Sequence, residues 1–235
     1  MINALSLQCI FVVLAVAVAF GFRQELLPFK VFAAVWALSA LSIIVVMIGA
    51  ILHIIKTGLG SASWQTMVAF VIGCLLLFAL GQLILKARSV PSIHDISTDL
   101  NDPPQFEHAQ KLRKPSDNPL RLTPAVAALQ QQHYGDLDSL ILAQSPEKLL
   151  PTLIDIARDL EWQVHAVDER HHRFEATSTT PLLGFTDDIV VRVAITDKGS
   201  RLDMRSVSRV GLSDLGTNAQ RIRQYFKAVS HALAN

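Results

Sequence analysis

Three apolar runs dominate the first third of the chain: LSLQCIFVVLAVAVAFGF from Leu5 to Phe22, VFAAVWALSALSIIVVMIGAILHII from Val31 to Ile55, and TMVAFVIGCLLLFALGQLIL from Thr66 to Leu85. Crossing the hydrocarbon core takes roughly 20 apolar residues as a helix, and no Asp, Glu, Lys or Arg interrupts any of the three. Such segments are costly to expose to water, and in lipid their backbone has to bond to itself as helix. A cleaved signal peptide competes for the first run. It fits poorly, because no Lys or Arg precedes the run and AFGFRQ is a poor small-x-small cleavage site. The chain therefore reads as a multi-pass membrane protein.

Charge divides the chain at the same place. Residues 1–85 hold only Arg23, Glu25, Lys30 and Lys56 as charged side chains, while the rest carries 18 Lys and Arg against 19 Asp and Glu. Three spans put Arg23, Lys30, Lys86 and Arg88 on one side, with the C-terminal part, and Lys56 on the other. The positive-inside rule then places the soluble part in the cytoplasm; a bacterial inner membrane is the expected setting, and the opposite orientation stays open. Trp64 suits the headgroup region and Trp36 suits packing within span two. The absence of an ionisable group deep in a run favours an anchor over a transport pathway.

The boundaries that follow are a three-span region over 1–88, a proline-rich lead-in over 89–139 and a soluble α+β domain over 140–235. Cys9 and Cys74 both fall in the spans, leaving the soluble part without a disulfide or thiolate ligand set, and no cofactor is expected. Its near-neutral balance argues against nucleic acid as a partner. From Asp187 onward, however, eight basic residues face five acidic ones, so a local positive surface remains open.

In the lead-in, Pro91, Pro103, Pro104, Pro115, Pro119 and Pro124 break up long regular elements. His94, Asp95 and Asp99 invite a metal reading, but both aspartates also suit turns and caps, and no metal is expected. Residues 125–133 fit a short helix. SPEKLLPTLIDIARDL begins with Ser145 as N-cap and Pro146 at the first helical position, with a stripe of Leu149, Leu153, Ile156 and Leu160. Four alternating stretches follow: WQVHAVDE, HRFEATSTT, DDIVVRVAITD and RLDMRSVSR, with a turn over Asp197, Lys198, Gly199 and Ser200 before the last. Leu215, Ala219, Ile222, Phe226, Val229 and Leu233 then mark a final helix capped by Ser213 or Asp214. The expected fold is a four-stranded antiparallel sheet covered on one face by helices.

The join between the last strand and the last helix, RSVSRVGLSDLGTNAQRIR, concentrates polar groups. Alternation puts Arg205 and Arg209 on one face, with Arg201 further along it. The candidate binding residues are Arg192, Arg205, Ser206, Ser208, Arg209, Asn218 and Arg221, supported by Asp187, Asp188, Gly211, Asp214 and Gly216. Arginine forks and helix amides suit a carboxylate or phosphate. The same residues equally suit Arg–Asp pairs, Asx turns and a capped helix. A hydrolase-like use of the Arg/Asp/Ser set is a third reading, but no Ser–His–acid or Cys–His arrangement stands out. The partners considered are membrane lipids, a small anionic molecule or a protein.

IHDISTD (Ile93 to Asp99) with Pro103-Pro104, GFTDDIVVRV (Gly184 to Val193) and RSVSRVGLSDLGTNAQRIR together resemble the family catalogued as domain of unknown function 1499. The resemblance runs from about Ile93 to the C-terminus. It implies a soluble or membrane-associated domain of the kind found in bacteria and photosynthetic eukaryotes, and it implies no particular reaction. On role, the leading expectation is a membrane-tethered binding or scaffold domain.

Overall fold

A computed structural model describes residues 4–58, 60, 62–197 and 199–234. Lys198 of the expected turn lies outside the described residues. Two compact units emerge, one holding the chain up to Arg88 with Leu182–Gly184, the other Ser89–Pro181 with the chain from Phe185 onward.

The first unit holds three helices, α1 (Ala4–Arg23), α2 (Phe29–Thr57) and α3 (Trp64–Ser89), each long and apolar enough to cross a membrane. In lipid, helix contacts rest on close packing and interhelical hydrogen bonds. Trp36 does more than pack: its indole N–H donates to Ala15 O of α1 at 3.1 Å. Ser39 reaches Phe11 O at 3.4 Å. Buried Gln8 joins α1 to α3, its amide donating to Ala69 O at 3.0 Å and accepting from Gly73 N–H at 3.2 Å. A Cβ at Gly73 would overlap Met47 Sδ of α2, so this glycine makes room for a neighbouring helix.

The second unit is built on one antiparallel sheet. Its strands are β1 (Asp95–Ser97), β2 (Leu140–Leu142), β3 (Gln163–Asp168), β4 (Arg173–Thr179), β5 (Thr186–Thr196) and β6 (Gly199–Ser208). The order is β1-β6-β5-β4-β3, with β2 also pairing β6, so the sheet has six strands, not the expected four. The expected meander is its centre. β1 and β2 share one edge of β6, pairing with residues 205–207 and 200–202 respectively. At three residues each, neither is long enough to display alternation, and β1 sits in the proline-rich segment. Gln130 extends that edge: its side-chain amide accepts from Ser97 N–H at 3.0 Å and donates to Ser97 O at 2.6 Å, standing in for a strand partner.

Four helices accompany the sheet: α4 (Ala109–Leu112), α5 (Pro124–His133), α6 (Pro146–Asp159) and α7 (Thr217–Ala234). Helix α6 runs continuously through Pro151, and Pro124 opens α5 behind its N-cap Thr123. One sheet face, with Phe174, Ala176, Ile189, Val191, Val193, Leu202 and Met204, joins the main core with Leu149, Leu153 and Ile156 of α6 and Ile222, Tyr225 and Val229 of α7. Burying each large apolar side chain contributes about 1.5–3 kcal/mol, so this layer carries most of the stability. Tyr225 takes a core place the expected stripe gave to Phe226, and its hydroxyl donates to Leu153 O at 2.8 Å. Leu160 drops out of the stripe and stays exposed. The opposite face is covered by the lead-in, where Phe106, Ala109 and Leu120 pack on Val190 and Val207.

Candidate functional site

Strand parity governs the polar corner. Arg205, Val207 and Arg209 lie on the lead-in face of β6, and Ser206 and Ser208 lie on the helix face with Leu202 and Met204. In register, Asp187 stands opposite Ser208 and Asp188 opposite Val207. A single sheet therefore separates the predicted residues into two sets. Asp187, Ser206, Ser208, Asp214, Asn218 and Arg221 gather under α7, whereas Asp188, Arg192, Arg205 and Arg209 lie on the far face. The four arginines do not converge.

On the helix face, Arg221 donates to Asp187 at 2.6 Å and to Ser206 Oγ at 3.0 Å, and it also bonds Asn218 Oδ1. Ser206 Oγ donates to Asn218 Oδ1 at 2.7 Å, and Asn218 Nδ2 donates to Ser208 Oγ at 3.0 Å and His94 O at 3.1 Å. Asp214 caps α7 by accepting from Gly216 N–H and Asn218 N–H, both at 2.8 Å. Those amides are thereby taken up by the protein's own carboxylate. The cap needs left-handed backbone at Leu215 (φ 55°) and Gly216 (φ 79°), which glycine adopts without strain.

Burial pushes the Asp214 carboxyl above the usual aspartate range, against the pull of its two amide donors. A raised carboxyl contributes stability that is full below the unfolded value, near 4, and is lost as pH rises through the folded value. The stability advantage of wild type over Asp214→Asn is therefore expected to shrink as pH rises from that unfolded value. Melting the two proteins in nanodiscs across mildly acidic pH checks this; an advantage that grows with pH contradicts it.

On the lead-in face each arginine meets carboxylates. Arg205, 1% exposed, forks onto Asp95 at 2.9 and 2.7 Å and donates to Pro104 O at 3.2 Å and Leu120 O at 2.9 Å, with Phe106 under its guanidinium. Arg209 and Arg113 share the fully buried Asp188, at 2.8 and 2.6 Å. Arg192 pairs with Asp99 at 3.2 Å, Asp102 at 2.8 Å and Asp203 at 3.0 Å, and Arg201 shares Asp99 and Asp203 with it. Glu175 accepts the backbone N–H groups of Glu107, His108 and Ala109 at 2.7–3.1 Å and an ion pair from Arg173 at 2.8 Å. Asp95 and Asp99 neutralise guanidiniums of the sheet. Asn118 seals the corner by donating to Ser208 O and Gly211 O, where Gly211 takes φ 91°.

These pairs join the three sequence stretches that carry the family resemblance. Asp95 and Asp99 of the first meet Arg205 and Arg201 near the third, and Asp187 and Asp188 of the second meet Arg221 and Arg209 of the third. A family model described as "Protein of unknown function (DUF1499)" matches residues 95–229, more than half of the chain. The chain belongs to the DUF1499 family. Comparison with curated proteins returns no match.

Two concavities mark the DUF1499 unit. The larger, about 290 Å³, is lined by Leu160, Trp162, Ser178, Thr217, Gln220, Arg221 and Gln224, so it opens over the helix-face network. The smaller, about 170 Å³, lies between β3, β4 and the α4 segment, where Arg173 and Glu175 are already paired. Beside it His165 stacks on His108 at 6.1 Å and bonds Thr177 Oγ1 at 2.8 Å. Burial, with the positive charge of His108 and Arg209 nearby, pulls the His165 pKa down. A hydroxyl–imidazole pair is the start of a nucleophile, but Thr177 is buried in the sheet, only 5% exposed. His165, Thr177, Arg113, Asp203 and Glu175 are not among the residues that the sequence singled out. Alternation already placed Glu175 and Asp203 on the arginine face, and that was the available signal.

Proposed function

We propose that the protein is a membrane-tethered binding module. Its DUF1499 unit takes a small ligand with a carboxylate or phosphate group in the cavity under α7. The observation that carries this is Arg221, a predicted binding residue that lines the larger cavity. Gln220, Gln224, Thr217 and Ser178 add hydrogen-bonding groups around it, and Trp162 and Leu160 add an apolar wall. A few convergent polar groups in a partly apolar concavity are what small-ligand sites share. Asp187 offsets much of the Arg221 charge, which favours a singly charged ligand over a polyanion. Arg192, Arg205 and Arg209, each matched by carboxylates, serve in this reading to hold the lead-in on the sheet.

The proposed setting is a bacterial inner membrane with the DUF1499 unit in the cytoplasm, supported by four basic residues on its side of the spans against one. Reporter fusions placed after Leu85 test it: cytoplasm-active fusions are expected, and activity of exported reporters there reverses the orientation.

For the ligand, full-length protein in nanodiscs is titrated with a panel of monocarboxylates and phosphate monoesters by calorimetry. Gln220→Ala and Gln224→Ala alter exposed side chains and leave the core intact. Each is expected to weaken binding by roughly 2- to 10-fold, the worth of one hydrogen bond. Affinities that these changes leave untouched place the ligand elsewhere, and a panel without saturable binding rejects these ligand classes.

A further inference from the structure

We propose that the ligand of the cavity under α7 is a free sugar acid, a small monocarboxylate dense in hydroxyl groups, with the indole N–H of Trp162 among its direct contacts. This rests on the reading of that cavity as a ligand site and narrows what enters it.

The first support is the uncommitted lining. On the lead-in face, Arg205, Asp188 and Glu175 are each bonded by several protein partners. At the cavity the pattern reverses. The side chains of Trp162, Ser178, Thr217, Gln220 and Gln224 line it and make no hydrogen bond to the protein among the described residues. Trp162 is the sharpest case. It is only 6% exposed and stacks on Tyr225 at 4.9 Å, yet its indole N–H, which can only donate, meets no acceptor among the described residues. A buried indole N–H ordinarily finds a partner, and an oxygen of a ligand in the cavity supplies one.

The second support is the chemistry of that lining. Each glutamine amide presents an acceptor carbonyl beside its donor NH2, and the hydroxyls of Ser178 and Thr217 both donate and accept. A carboxylate or phosphate alone carries acceptors and would leave the glutamine carbonyls facing it unmatched. Hydroxyl groups match both halves of each amide. Arg221 directs N–H groups to Asp187, Ser206 and Asn218 and has more donors than those bonds use, so it can still take a carboxylate oxygen. Leu160 is the one aliphatic side chain of the lining among the described residues, too little apolar wall for an acyl chain. At about 290 Å³ the cavity lies at the small end of ligand sites, which suits a single sugar-sized molecule and not an oligosaccharide or a lipid.

The test titrates full-length protein in nanodiscs by calorimetry with gluconate, hexanoate and sorbitol, which share one carbon chain. Hexanoate lacks the hydroxyls of gluconate, and sorbitol lacks its carboxylate. Gluconate is expected to bind at least roughly tenfold more tightly than either, because several hydroxyl bonds act together. Gln220→Leu and Gln224→Leu, at exposed positions, are each expected to weaken gluconate by roughly 2- to 10-fold and to leave hexanoate unchanged or tighter. Trp162→Phe keeps a ring against Tyr225 and is expected to weaken gluconate by a similar factor; should it fail to fold, the glutamine variants decide. Hexanoate equal to or tighter than gluconate overturns the sugar acid and leaves the anion site standing. Sorbitol equal to gluconate, or no saturable binding by any of the three, overturns the anion site as well. Gluconate affinity that neither glutamine change alters places the acid outside this cavity and overturns the assignment.

Discussion

Asp95→Ala is expected to lower the melting temperature of the DUF1499 unit by roughly 10 °C, the largest single-residue effect on the lead-in face. Arg205 is the largest fully buried side chain among the described residues, and Asp95 is its counter-ion, with both partners under 5% exposed. Removing one partner of a buried pair leaves an uncompensated charge in the interior, at about 3–5 kcal/mol. In a unit of this size each kcal/mol moves the midpoint by about 2–4 °C. Near-UV circular dichroism of Trp162, packed on Tyr225 at 4.9 Å, reports that transition in nanodiscs. The double change Asp95→Leu with Arg205→Met tests the cause. An apolar pair of similar volume often costs little, so it should regain part of the loss. Pro104 O and Leu120 O still forfeit their donor, so recovery stays incomplete. A loss below about 1 kcal/mol for Asp95→Ala would mean the guanidinium finds water or another carboxylate, and the clamp role would fail.

The sequence was most legible where one physical rule acts alone. Apolar runs of membrane length have few alternatives, and helices α1 to α3 cover all three. Strands β3 to β6 were readable because their faces differ, Ile189, Val191 and Val193 against Arg192, and the same parity put Arg205 and Arg209 together. Applied to Ser206 and Ser208, it would also have moved them to the helix face with Leu202 and Met204. That step alone divides the supposed single site. Partners were the illegible part. Asp95 lies 110 residues before Arg205, and nothing local in IHDISTD says which cation it meets. β1 and β2 escaped for a related reason, since a three-residue strand is defined by its neighbour β6. The cavity under α7 depends on how Trp162 and Gln224 approach across elements, which no local pattern encodes.

Asp188→Asn is expected to loosen the lead-in itself, and more selectively than Asp95→Ala. Asp188 is fully buried and holds two guanidiniums, Arg113 from the lead-in and Arg209 from the β6 end. Burial already pulls the Arg113 pKa down, and Asp188 is the chief charge opposing it. Neutralising that carboxylate leaves two cations facing each other in a partly buried site, where like charges repel. The cheapest relief is for Arg113 to swing out to water, because it sits on a segment without strand pairing just after the short α4, whereas Arg209 adjoins β6. Such a swing also breaks the Arg113 bond to Ser208 O. Trypsin then reads the result at Lys111 and Arg113, with cleavage rising by at least roughly tenfold if opening becomes about 1.4 kcal/mol easier. Cleavage should come before loss of the near-UV signal, since the main core of α6, α7 and the sheet does not involve Asp188. If the near-UV signal and the cleavage sites are lost together, Asp188 supports the whole unit and the lead-in is not a separate layer. If neither changes, Asp188 is not what holds the lead-in on the sheet.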